Sequence, residues 1–169
     1  PADSNGAKTV LNHLQQAYQL YQSWFGKIPF EGFSIIEIPD GWGSQTDVTC
    51  IIQTASAFRN MDNLYELYHE VSHIWNVKSN DKAPCRLESE GLAMFLQHLV
   101  MGKFTNKPDL LDSAAVRTFV RIKKRLASDT LAANTAMHEY GEKQMTDLSY
   151  SKGMLFFYLL YKEIGEKYF

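Results

Sequence analysis

Residues 69–73 read His-Glu-Val-Ser-His, and that spacing has its chemical meaning on a helix. Two histidines at positions i and i+4 of a helix lie about 40° apart around the axis and roughly 6 Å apart along it. Both imidazoles can then reach one ion, and zinc favours such borderline nitrogen ligands in a tetrahedral array. Glu70 projects beside the pair rather than in line with it, which suits a carboxylate acting as base next to a metal site. The surrounding residues predict the helix. Leu64, Leu67, Tyr68, Val71, Ile74 and Trp75 recur at helical spacing as a buried stripe. Asp62 and Asn63 supply capping chemistry for a helix running to about Val77.

A catalytic zinc site needs a third protein ligand and an open fourth position. The next helical stretch, about Arg86 to Met101, offers Glu88 and Glu90. Two residues apart on a helix means about 200° around the axis, so one of the two can face a metal. Spacing leaves the choice between them open. Cys85 lies between the two segments as a further metal-ligating residue type, ranked below the His/Glu set. With Cys50 it makes a pair too small for a disulfide framework, and two free thiols are expected.

The rest of the chain reads as a small sheet followed by a helical body, an α+β class. Val10, Leu11, Leu14, Ala17, Tyr18, Tyr21 and Phe25 predict an amphipathic helix over 7–25, stopped by Gly26 with Pro29 beyond. Strands are expected over 33–38 and 48–52, with a turn at 39–43 between them. A loop is expected at 79–84, helices at about 110–127 and 147–166, and irregular or short helical pieces at 128–147. The 169 residues form a single expected domain, 1–169. The opening Pro-Ala-Asp and the ending in a helical stretch suggest a piece of a longer protein. A net charge of -2 gives no electrostatic case for nucleic acid or an anionic membrane surface. The longest apolar run, Met154 to Tyr161, falls far short of the roughly 20 residues needed to span a bilayer. Of the remaining histidines, His13 reads as a surface residue and His98 as structural, while His138 sits in the irregular stretch before Tyr150, with lining of the cleft the lesser of its readings.

His69-Glu-Val-Ser-His-Ile-Trp75, followed by Glu90-Gly-Leu-Ala93, resembles the gluzincin aminopeptidases, the family of aminopeptidase N and leukotriene A4 hydrolase. His73-Ile-Trp-Asn-Val-Lys78 is similar to the glycyl aminopeptidase branch. Tyr150-Ser-Lys-Gly-Met154 resembles the family's Tyr-Glu-Lys-Gly-Ala run, and Gly165 to Phe169 resembles the segment that follows it. The resemblance covers nearly the whole chain and implies a thermolysin-like catalytic domain. It implies one zinc ion on His69, His73 and Glu90, Glu70 as general base, and Tyr150 as hydrogen-bond donor to the tetrahedral intermediate. The implied partner is a peptide or protein substrate, paired with an edge strand that the sequence places near Val48 to Ile52.

The chain departs from the family in several places. Ser89 stands where Asn is usual, and Gln97 where many members carry a carboxylate. The sixteen residues 74–89 make a spacer shorter than is usual. The Gly-x-Met-Glu-Asn motif that binds the substrate's amine is absent. Its region reads Gly41-Trp-Gly-Ser-Gln-Thr-Asp47, which leaves Asp47 as the substitute charge. The competing expectation is therefore a catalytically inactive gluzincin-like binding module. An epoxide hydrolase on the same zinc chemistry and a purely structural zinc domain rank below it.

Overall fold

The structure is a computed structural model that describes residues 4–28, 32–47, 49–75 and 86–169. Pro29, Val48, the expected loop 79–84 and Cys85 lie outside the described residues, as do the positions 76–78 of the glycyl aminopeptidase-like run. The architecture is α+β, mostly helical with one three-stranded sheet. The chain divides into two compact units, Pro1–Asn76 and Val77–Phe169.

The first unit opens with helix α1, Ser4–Phe25, whose buried positions Val10, Leu14, Ala17 and Tyr21 repeat at the expected helical spacing. Gly26 ends it with φ +85°, the left-handed conformation that glycine adopts without a Cβ penalty. Gly6 has a packing reason of its own, since a Cβ there would lie 2.0 Å from the Phe58 carbonyl oxygen. Three strands follow: β1, Ser34–Ile38; β2, Gln45–Asp47; and β3, Cys50–Thr54. The order is β1-β3-β2, with β1 parallel and β2 antiparallel to β3. This corrects the sequence reading in two ways. The expected strand over 48–52 begins at Cys50 and is central, so it has no edge to offer a peptide. The edge strands are β1 and β2, and β2 is only three residues long. Cys50 is a free, half-buried thiol.

A short helix α2, Ser56–Arg59, and a 3-10 turn, Met61–Asn63, lead into α3, Leu64–Ser72. Asp62 and Asn63 do not cap α3 as expected; Asn63 precedes it with no side-chain capping bond. Instead the Asn60 Oδ1 accepts from the Asp62 N–H at 2.9 Å, because the helical run begins earlier, at the 3-10 turn. Leu64, Leu67, Tyr68 and Val71 are buried as predicted, and α3 packs on α1.

α3 is also shorter than expected, and hydroxyl groups account for this. The Ser72 Oγ donates to the His69 carbonyl at 2.7 Å, and the Thr46 Oγ1 donates to the Glu70 carbonyl at 2.7 Å. Those are the acceptors that the amides of His73 and Ile74 would use in a continuing α-helix. The amides of His73, Ile74 and Trp75 bond instead to Glu70, Val71 and Ser72 at 3.2, 3.3 and 3.1 Å, three residues back. The last turn is thereby tightened. Trp75 anchors it by donating from Nε1 to the Gly26 carbonyl at 2.8 Å.

The second unit contains α4, Arg86–Phe104; α5, Leu110–Ser128; α6, Thr130–Asn134; a 3-10 turn, Met137–Glu139; and α7, Thr146–Ile164. α4 and α7 make its most extensive contact. They cross at two glycines: a Cβ built on Gly91 would lie 2.4 Å from the Gly153 Cα. α5 packs on both, and its Arg121 Nη2 donates to the Ser151 Oγ of α7 at 2.8 Å. The stretch expected to be irregular holds a small apolar cluster of Ala132, Tyr140, Met145 and Leu148, with Leu126 against it. Lys152 of α7 hydrogen-bonds the Tyr140 hydroxyl above this cluster. No described helix is long and apolar enough to cross a membrane.

Candidate metal centre

His69 and Glu70 are both buried, each 8% exposed, and they come from the last turn of α3. His73 follows α3 in the tightened turn, half-buried, with φ -62° and ψ -18°. The backbone therefore stays helical enough to keep the two imidazoles together. Their ring centroids are 4.9 Å apart and the planes are nearly perpendicular, at 79°. Tyr68, the preceding residue, turns the other way into the α1–α3 contact. Its hydroxyl shares a 2.8 Å hydrogen bond with His13 Nδ1, while Tyr21 donates to the Tyr68 carbonyl at 3.0 Å. Burial pushes the Tyr68 and Tyr21 hydroxyls well above the usual phenol range and lowers His13 below the usual imidazole value. All three are neutral at pH 7. His13 is thus a half-buried partner of α3, where a surface residue was expected.

The opposite side of α3 faces the sheet through two acidic residues at i and i+4. The Glu66 Oε2 accepts from the hydroxyls of Thr54 and Ser44 at 2.9 and 3.1 Å. One turn on, the Glu70 Oε2 accepts from the Thr46 Oγ1 at 2.8 Å. Ser44 and Thr46 are two residues apart, so they face the same way on an extended chain. Their separation of about 6.7 Å along a strand nearly matches the roughly 6 Å between i and i+4 on a helix. The two spacings make two rungs between the β2 segment and α3. Gln53, fully buried on β3, adds a 3.0 Å bond from its Nε2 to the Ser44 Oγ. None of these partners was read from the sequence. The available signal was the Glu66/Glu70 pair off the apolar stripe, together with the Ser44-x-Thr46 alternation. By the same alternation Asp47 lies on the other face of β2 from Thr46, away from the face bonded to Glu70.

On α4, Glu90 is half-buried and Glu88 is exposed, which separates the two residues that spacing left undecided. Among the described residues, His69, His73 and Glu90 form a group whose ligand atoms all lie within 4.8 Å of one another. Two imidazole nitrogens and one carboxylate oxygen are a donor set whose chemistry fits zinc. Tyr150 is half-buried on α7, one turn before Gly153, and Glu90 immediately precedes Gly91. Both residues thus flank the glycine crossing of α4 and α7. Gln97 is buried on α4, and its Nε2 lies 3.5 Å from His98 Nε2. His138 is exposed in the 3-10 turn.

Comparison with protein-family models, curated proteins and solved structures gave no match.

Proposed function

We propose that this chain is a zinc-dependent peptidase of the gluzincin type, built on a thermolysin-like catalytic domain. The observation that carries the reading is the edge-on pair of imidazoles at His69 and His73 beside the buried, hydroxyl-held carboxylate of Glu70. His69, His73 and Glu90 hold the ion. Zinc bound there supplies a Lewis acid that polarises a carbonyl and raises the acidity of water. Glu70 takes up the proton of the attacking water and passes it to the leaving amine. The Tyr150 hydroxyl donates to the oxyanion that develops on the scissile carbonyl. β2, at the sheet edge next to Glu70, is the strand along which an extended peptide backbone pairs. Losing one oxyanion donor typically costs about 100- to 1000-fold in rate. Tyr150→Phe should therefore lower kcat by that order with zinc content unchanged, as read by steady-state kinetics and plasma mass spectrometry.

The direct test is zinc content after purification without added metal. Wild type should carry close to one zinc per chain, Glu90→Ala should lose it, and Glu88→Ala should retain it, since Glu88 is exposed. Loss confined to Glu88→Ala would overturn the ligand assignment. A wild type that takes up no zinc, even when incubated with the ion, would favour the binding-module reading. Aminoacyl-nitroanilides and internally quenched peptides with blocked amino termini then separate exo- from endo-cleavage.

A further inference from the structure

We infer that Thr46 is a positioning residue that holds the Glu70 carboxylate in one orientation; this rests on the peptidase reading above. The Thr46 Oγ1 lies 2.8 Å from the Glu70 Oε2 and 2.7 Å from the Glu70 main-chain oxygen. A hydroxyl has one hydrogen and two lone pairs. The Thr46 hydrogen is shared between the two Glu70 oxygens in a three-centre arrangement. Contacts from one hydroxyl to both the main chain and the side chain of Glu70 fix where the carboxylate sits relative to its own backbone.

Thr46 is itself well placed for this. It sits in the β2–β3 ladder opposite Ile51, which is fully buried, and its own side chain is half-buried. β-branching restricts its χ1, which keeps the hydroxyl aimed at α3. Valine preserves the shape and the strand preference but has no hydroxyl. Serine preserves the hydroxyl and loses the methyl that limits its rotation.

The test uses the full chain, zinc-loaded, with Thr46→Val and Thr46→Ser assayed on a peptide that wild type hydrolyses. Outer partners of metal-site groups are typically worth about 10- to 100-fold in activity, and that fall in kcat is expected for Thr46→Val with KM and zinc content unchanged. Thr46→Ser should recover most of the loss. A second readout needs no activity: in the metal-free protein, Thr46→Val should lower the melting temperature less in a Glu70→Ala background than in wild type, because the side-chain bond is already gone. Wild-type kcat in Thr46→Val, equal losses in the Val and Ser variants, loss of zinc together with kcat, or additive melting shifts would each overturn the inference. Zinc-loaded wild type that cleaves none of the peptides would instead overturn the peptidase reading, and the melting cycle would still decide whether Thr46 holds Glu70.

Discussion

Glu70→Gln is expected to retain zinc and to lower kcat by about 100- to 10,000-fold, the range that a positioned general base contributes. Glutamine matches glutamate in size, and its carbonyl oxygen still accepts from the Thr46 hydroxyl 2.8 Å away from the native Oε2. The tightened turn that carries His73 depends on the Glu70 main-chain oxygen and the Ser72 hydroxyl, which the substitution leaves untouched. Fold and ligands should thus survive, and the loss should fall on proton transfer alone. Steady-state kinetics beside zinc analysis of the same samples checks this. Cleavage by Glu70→Gln at the wild-type rate would sink the assignment of the base. A variant that lost both zinc and activity would show that Glu70 acts on the site's structure.

Gly153→Ala is expected to destabilise the protein by about 1–3 kcal/mol, the usual range for overpacking. For a chain of this size that lowers the melting temperature by roughly 2–4 °C per kcal/mol. A Cβ at Gly153 would lie 2.4 Å from the Leu87 carbonyl oxygen and 2.6 Å from the Gly91 Cα. These are backbone atoms, which cannot rotate aside as a side-chain end would, so α4 and α7 must move apart. Gly91→Ala should behave alike, since its Cβ would meet the Gly153 Cα at 2.4 Å. Gly43→Ala is the control, because a Cβ there meets nothing within 4 Å. Thermal melting of the three variants gives the answer, and a Gly153→Ala melt coincident with wild type would overturn the account of the crossing. The crossing also bears on the site, since Glu90 and Tyr150 are each within a turn of it.

The helices were legible because their signal is local. The 3.6-residue recurrence of Val10, Leu14, Ala17 and Tyr21, or of Leu64, Leu67, Tyr68 and Val71, records which face each segment buries. The pairing of His69 with His73 was legible for the same reason, since i and i+4 is a property of one helix. β2 escaped because three residues carry no period. The early end of α3 escaped because its cause is partly remote: Ser72 is local, but Thr46 is twenty-four positions from Glu70.

By itself the sequence determined the helical segments, the α+β class, and the residue types gathered at His69, Glu70 and His73. Covalent neighbours and helical pitch encode those. The tertiary structure alone decided that β3 lies between β1 and β2, that Glu90 rather than Glu88 is shielded from solvent, and that Thr46 meets the carboxylate of Glu70. It also decided that two glycines far apart in the chain meet backbone to backbone. Each of these depends on which distant segments pack together, and no local period carries that information.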